Sequence, residues 1–353
     1  MVKQLIECVP NFSEGRDPSV IQGISDAISA VEGVQLLHVD AGMAANRTVM
    51  TFIGEPSAVV EAAFRAIQKA AELIDMRQQT GEHPRIGATD VCPLVPIANI
   101  SLSETADYAR QLAERVGKHL HIPTYLYEAA ATRPERRNLA VIRAGEYEGL
   151  AEKMRKPDWT PDYGACIFNP KTGATVIGAR DFLAAYNVNL NTKSVGIANS
   201  IAFDVRERGR ILTDENGKTR FDEQGKPLRQ AGLCKFVKAI GWFIEEYNVA
   251  QVSMNLTNLS VTPLHIAFEA CCASAEKYGV KVTGSELIGL LPKFVLVDAG
   301  KYFLEKKRLS TAISEAKIIE FAIKTLVLDE LKSFNQRERI IEFLLEDSKN
   351  EHN

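Results

Sequence analysis

No apolar run in this 353-residue chain approaches the roughly 20 residues a membrane-spanning helix needs, so no membrane partner is expected. Charge of one sign is also missing. A formal net charge of −3 gives no pull towards nucleic acid. Cysteine is sparse, at positions 8, 92, 166, 234, 271 and 272, with no Cys-x-x-C pair. Reduced, partly buried thiols are the expected state. The histidines at 38, 83, 119, 121, 265 and 352 form neither H-x-x-x-H nor H-E-x-x-H. The close pair His119 and His121 has no companion ligands, and no metal site is expected. There is no G-x-G-x-x-G, and the glycine-rich run Gly173–Arg180 lacks the Gly-Lys-Ser/Thr ending of a phosphate loop. Glu7 stands where a signal peptide would need its apolar segment, so the N-terminus reads as a first strand and the protein as cytoplasmic.

What is present is an ordinary soluble mixture, 46% hydrophobic and 25% charged, long enough for two domains. A strand over Leu5 to Pro10 precedes a helix from Pro18 to Val31, capped by Asp17 with proline at its first position. Strands follow at Val34 to Asp40 and Arg47 to Gly54. A helix from Ser57 to Met76 then carries Val59, Ala63, Ile67 and Ala70 at helical spacing, and a strand runs from Asp90 to Pro96. This β-α-β-β-α-β order is the split pattern of ferredoxin-like folds. A helix over Glu104 to Leu120, capped by Ser103, and a strand over Pro123 to Tyr127 extend it. The order returns in the second half: strand Leu183 to Leu190, helix Ser194 to Arg208, strands Lys235 to Glu245 and Val249 to Thr257, helix Thr262 to Tyr278, strand Val280 to Leu287. Duplication explains this, and so does coincidence, because such alternation is common. Residues 129 to 173 read as an irregular link, Ile211 to Gln230 as an exposed polar hairpin or excursion, and the chain after 292 as helices with a frayed tail.

The polar residues collect at strand ends. His83 precedes Pro84, which keeps it off a helix and on a loop entering a strand. An imidazole there can take and give a proton near neutral pH. The second strand ends at Asp40, the third begins at Arg47, and Asn11 follows the first. A carboxylate, a guanidinium and an imidazole on one sheet edge are the parts of a polar catalytic site. Each also has a plainer reading, as a turn carboxylate, a surface ion-pair partner or a solvated loop histidine. The glycines of Gly173–Arg180 permit close approach to a ligand or to another strand, and Arg180 has the fork to clamp a carboxylate.

Cys8-Val9-Pro10-Asn11-Phe12-Ser13-Glu14-Gly15, the stretch from Asp40 to Asn46-Arg47-Thr48-Val49, Gly81-Glu82-His83-Pro84-Arg85-Ile86-Gly87-Ala88 and Arg143-Ala144-Gly145-Glu146-Tyr147-Glu148 resemble glutamate formimidoyltransferase. So do Gly173-Ala174-Thr175-Val176, Ala239-Ile240-Gly241-Trp242 and Ala250-Gln251-Val252-Ser253. This is the formiminotransferase half of formiminotransferase-cyclodeaminase, and the resemblance covers about residues 3 to 345. It implies an α+β fold of two ferredoxin-like subdomains, 1–180 and 181–335, facing across a groove that holds tetrahydrofolate, with C-terminal helices, a tail at 336–353 and a homodimer. The chain ends before a deaminase domain would begin, so that second activity is not expected. The resemblance makes His83 the catalytic base, with Asp40 and Arg47 in support. It places folate along Gly164, Ala165, Cys166, Ile167, Phe168, Asn169, Pro170, Lys171, Thr172 and Gly173. Asn11, Arg180 and Asn187 are further groove candidates. The implied reaction moves a formimino group from N-formimino-L-glutamate to N5 of tetrahydrofolate, the co-substrate, in histidine degradation and one-carbon metabolism. His83 would relay the proton between nitrogens, Asp40 would orient the ring or stabilise developing charge, and Arg47 would fork a substrate carboxylate. A formyl donor on the same site, and a folate-binding protein without activity, are the alternatives. Comparing donors separates the first, and folate binding without product identifies the second.

Overall fold

Asp17 and Pro18 start the first helix as their chemistry demands. The Asp17 carboxylate accepts from the Ser19 N–H at 2.8 Å, and proline forfeits a donor that the first turn would leave unpaired. The structure, a computed structural model, describes residues 3–351 apart from 44 and 82. Glu82 of the histidine motif, His352 and the last tail residue therefore lie outside the described residues. The chain divides into two units, Met1–Asp181 and Phe182–Asn353.

The first unit runs β1 (Leu5–Cys8), β2 (Asn11–Phe12), α1 (Pro18–Ser29), β3 (Val34–Gly42), β4 (Arg47–Gly54), α2 (Pro56–Leu73), β5 (Thr89–Ala98), α3 (Leu102–His119), β6 (Thr124–Glu128), α4 (Leu139–Arg143), α5 (Glu146–Met154) and β7 (Thr175–Ala179). The strand expected over Leu5 to Pro10 breaks in two because Pro10 has no N–H for the ladder, and pairing resumes at Asn11. Helix α3 is capped by Ser101 rather than Ser103. Ser101 Oγ accepts from the Glu104 N–H while Glu104 reaches back to the Ser101 N–H, a reciprocal box that Ser103 cannot close. Strand order across the sheet is β3-β4-β1/β2-β5-β7-β6, antiparallel up to β5 and parallel among β5, β7 and β6.

Alternation gives this sheet two unlike faces. Ile6, Cys8, Phe12, Met50, Phe52, Cys92, Leu94 and Ile177 are buried under α1, α2 and α3. The other face divides. At the β5-β7-β6 end Val91, Val176, Tyr125 and Tyr127 are covered by Ile142 of α4 and Leu150 and Met154 of α5, with Trp159 and Phe168 packed alongside. The stretch 129–173, expected as an irregular link between halves, is thus a covering layer of the first unit. At the β3-β4 end this face carries Asp40, Val49, Arg47 and Asn11 instead. The glycine-rich run is strand β7, so its glycines serve another strand: a Cβ on Gly178 would lie 2.3 Å from the Tyr127 carbonyl oxygen.

The second unit runs β8 (Ala184–Leu190), α6 (Val195–Val205), β9 (Arg210–Ile211), β10 (Arg229–Gln230), β11 (Val237–Ile244), β12 (Val249–Leu256), α7 (Leu264–Lys277), β13 (Val282–Ile288), α8 (Lys293–Lys306), α9 (Glu315–Leu326), α10 (Gln336–Arg339) and α11 (Ile341–Glu351). Its main sheet is antiparallel in the order β11-β12-β8-β13. Tyr186, Val188, Val252 and Met254 pack against Ile201 and Phe268 of α6 and α7. The polar 211–230 excursion is a hairpin closed by β9 and β10, with two tight turns in which Asp214 and Asp222 accept backbone N–H groups. The C-terminal helices belong to the same core: Ile319, Leu326 and Ile340 are fully buried, and at the start of the tail the Ile341 N–H donates to the Leu291 carbonyl while the Leu291 N–H donates to that of Arg339.

Candidate functional site

The site begins with a fault in a ladder. Asn11 of β2 pairs with Val91, and the next residue, Phe12, pairs with Thr89, so β5 carries one residue too many at Asp90. Such a bulge re-aims a side chain. Strict alternation would turn Asp90, next to Val91, towards the helices. Its carboxylate instead receives the Ile86 N–H at 3.1 Å, Arg47 Nη1 at 3.2 Å, Arg143 Nε at 3.3 Å and Arg143 Nη2. The Asp90 side chain is 2% exposed, and the two arginines are 13% and 15% exposed. A carboxylate this dry persists only because two cations and a backbone donor neutralise it.

Arg47, the first residue of β4, is almost fully committed. Its Nε and Nη2 both donate to Asn11 Oδ1, the first at 2.9 Å, and its Nη1 meets Asp90 and, at 2.5 Å, His83 Nδ1. Burial lowers its pKa to about 10, with Asp90 opposing the shift, so the guanidinium stays charged at neutral pH. His83 Nδ1 has a second neighbour, the Pro84 carbonyl oxygen at 2.8 Å. The two contacts alternate with tautomer. A ring with its proton on Nε2 accepts from Arg47, and a ring protonated at Nδ1 donates to Pro84. Burial, then the charges of Arg47 and Arg143, push the imidazole pKa down to about 4 against weaker support from Pro84 and Asp90. At pH 7 the ring is neutral, and in the tautomer that donates from Nδ1 to Pro84 its Nε2 is free to accept a proton.

The structure joins His83, Arg47 and Asn11 as expected, but not Asp40. Asp40 and Asn11 both pair with Val49, so they share a row and a face two strand spacings apart, roughly 10 Å. Asp40 is half-buried on β3, and among the described residues it makes no hydrogen bond or ion pair. The carboxylate in contact with Arg47 is Asp90. Arg85, next to the histidine motif, is spent on Glu148, Glu146 and Gln79. An open cavity of about 530 Å³ beside Arg85 is lined by Gln79, Thr80, Gly81, Gly145, Glu146 and Glu148, without any group of the His83 cluster.

Gly164 to Gly173 divides into an exposed strip and a clamped turn. Gly164 to Ile167 are exposed, Ile167 to 72%. Phe168 packs on Tyr147 at 5.6 Å between ring centroids. Asn169 Oδ1 then accepts from Lys171 and Thr172, the Ala88 N–H bonds Thr172, and the Ala174 N–H bonds Ile86. The segment is therefore tied to the three residues that lead from the histidine loop into β5. Gly87 and Gly173 make this possible: a Cβ on either would lie 2.1 Å from a carbonyl oxygen of the other strand, and Gly173 has φ +64°. Arg180 bonds the Asp181 carbonyl, and its charge acts on Glu7 and Tyr127. Asn187 belongs to the second unit, where it donates to Glu286 Oε2 at 3.4 Å.

Sequence reasoning missed Asp90 and Arg143. Arg143 ends the five-residue helix α4, whose last carbonyls, at Val141, Ile142 and Ala144, are held by Lys153 Nζ. Among the described residues no group of three or more His, Cys, Asp and Glu is placed to hold a metal ion, and no helix is long and apolar enough to cross a membrane.

Residues 5–180 match the model of the formiminotransferase domain, N-terminal subdomain, and residues 185–346 that of the formiminotransferase domain. The chain is 43% identical to a glutamate formimidoyltransferase of Streptococcus pyogenes serotype M1, over 86% of its own length and 94% of that protein's. A glutamate formimidoyltransferase of Thermoplasma acidophilum is 44% identical over 85% of the chain and 92% of that protein. A formimidoyltransferase-cyclodeaminase of Gallus gallus is 47% identical over 97% of the chain, which spans 60% of that longer protein.

Proposed function

The chain belongs to the formiminotransferase family, and on that premise we propose that it transfers the formimino group from N-formimino-L-glutamate to N5 of tetrahydrofolate, releasing L-glutamate. One observation carries the mechanism: a neutral imidazole whose Nδ1 lies between a cationic donor and a carbonyl acceptor. N5 attacks the amidine carbon, forming the new N–C bond and a cationic nitrogen. His83 Nε2 takes the proton from N5, and the imidazolium keeps its Nδ1 proton on the Pro84 carbonyl. The bond from carbon to the glutamate nitrogen then breaks, and His83 returns the proton to that nitrogen. A base lowered to about 4 stays free to accept at neutral pH, and the acid it becomes donates readily.

Arg47, held by Asn11 and Asp90, acts here on the ring through its charge, which helps to keep the imidazole neutral. Asp40, on the same face and without a partner among the described residues, faces the cationic amidine as it reacts. The strip Gly164–Gly173, bonded to the entrance of β5, is where tetrahydrofolate lies as co-substrate. The test is conversion of the two substrates to 5-formiminotetrahydrofolate with one glutamate released per turnover. His83→Ala is expected to lower kcat by about 10²–10⁴-fold. Faster turnover of N-formyl-L-glutamate would transfer the assignment to a formyl donor. Folate binding without product in wild type would reduce the protein to a binder.

A further inference from the structure

Two guanidiniums share one carboxylate at this site, and the imidazole beside them is neutral. One positive charge is therefore left over in a space where charge is expensive unless matched. The two arginines differ in what they have left to give. Arg47 spends its Nε, Nη1 and Nη2 on Asn11, Asp90 and His83. Arg143 presents only its Nε and Nη2 to Asp90, and among the described residues nothing accepts from its Nη1. The Asp90 carboxylate thus grips Arg143 by one edge and leaves the other edge open. The Arg143 side chain is 15% exposed, and its guanidinium is near enough to His83 for its charge to act on the ring. Its backbone is fixed as well, because Lys153 ties the end of α4 and the Tyr147 N–H bonds Arg85 just after it.

We propose that the open edge of Arg143 binds the α-carboxylate of the glutamyl donor, making Arg143 the specificity residue for the amino-acid half of the reaction. The inference rests on the reading of function above. Its chemical argument is proximity. The nitrogen that His83 must reprotonate is bonded to Cα, and the α-carboxylate hangs from that same carbon. A cation next to the imidazole meets this group, while the γ-carboxylate, two methylenes further out, extends beyond. A guanidinium edge with two parallel donors matches a carboxylate in a way that lysine does not. Arg47, expected from the sequence to fork a substrate carboxylate, passes that task to Arg143 and keeps the ring in place.

The experiment measures equilibrium binding of L-glutamate, L-isoglutamine (the α-amide) and L-glutamine (the γ-amide) to the full chain by calorimetry. It compares wild type, Arg143→Gln and Arg143→Lys, with 5-formyltetrahydrofolate binding as the check on an intact site. Wild type should prefer L-glutamate over L-isoglutamine. Arg143→Gln should bind L-glutamate about tenfold more weakly or worse and lose the preference over the α-amide, with its ratio of glutamate to glutamine and its folate affinity kept. Arg143→Lys, which keeps the charge and also the contact to Asp90, should fall between, and it decides the matter alone if the glutamine variant does not fold. Unchanged glutamate affinity, a retained preference over isoglutamine in the variants, or no glutamate binding by wild type would each overturn the inference. Turnover does not enter the measurement. A protein that reads the α-carboxylate through Arg143 yet transfers no formimino group would keep this inference and defeat the functional reading.

Discussion

The two units of this chain lay their strands in one order, with different chemistry on them. In the first, β3-β4-β1/β2-β5 repeats the sequence of roles seen in β11-β12-β8-β13 of the second. Helices cover one face of each sheet. On the opposite face the first unit carries ions: Arg47, Asp90 and Arg143 around a neutral imidazole, with Asp40 two strands away from Asn11. The second unit carries amides. Trp242 Nε1 donates to Gln251, Gln251 to Asn189, and Asn189 to Glu330, a line of side chains crossing β11, β12 and β8. Gly284 of β13 leaves the room for the Glu330 carboxylate, which a Cβ there would meet at 2.1 Å. Amides hold shape without titrating, whereas the ionic cluster can gain and lose a proton. A single scaffold thus supplies a rigid polar wall and a reactive one.

Asp90→Ala tests this division hardest. It leaves two mostly buried guanidiniums without their shared counterion, and we expect a loss of about 3–5 kcal/mol in urea unfolding. It should also cost turnover, because Arg47 would no longer be held on the ring. A loss under 1 kcal/mol would mean that the ionic face is solvated and no different in kind from the amide face. Asn189→Ala is the matching cut in the second unit. It strands the buried Gln251 amide and should cost about 1–3 kcal/mol with kcat unchanged. A collapse of kcat in a stably folded Asn189→Ala protein would break the contrast.

The smallest effect concerns pH. Glu7 lies on the same face of the first sheet as Arg47, opposite Ile53, and burial raises its pKa to about 7 against the pull of Arg180. Between its ordinary value of 4.5 and about 7 the folded state holds the extra proton on Glu7, so stability falls as pH rises. His83 has the opposite sign. Between about 4 and 6.5 the unfolded chain binds more protons there, so stability rises with pH. The two slopes oppose one another over nearly the same window. Urea unfolding from pH 4.5 to 7.5 should show His83→Ala losing stability more steeply with rising pH than wild type, and Glu7→Gln gaining it. Parallel profiles for all three proteins would refute both shifts.

Elements with a strong period or a chemical start were legible in the sequence. Helices α1 and α2 and the strands that repeat the β-α-β-β-α-β order follow from spacing, from Asp17 and from prolines. Strand β7 was not, because its short apolar run between glycines finds its parallel partners only through long connections. At the site, His83, Arg47 and Asn11 stand where strands meet loops, so topology alone gathers them. Asp40, taken from the sequence as the end of its strand, lies inside β3 on the right face and in the row of Asn11, but two strand spacings from it. Asp90 was hidden because alternation assigns it to the wrong side. Arg143 was hidden by a five-residue helix whose anchors, Lys153 and Asp90, are distant in sequence.

The bulge at Asp90 has an arithmetic consequence. Removing Asp90 alone would restore the ladder and leave both layers of apolar packing filled, while taking away the acid that binds two bases together. A lineage could lose catalysis through a single-codon gap that no hydropathy profile would register. In this strand, what is inherited is a count as much as a set of letters.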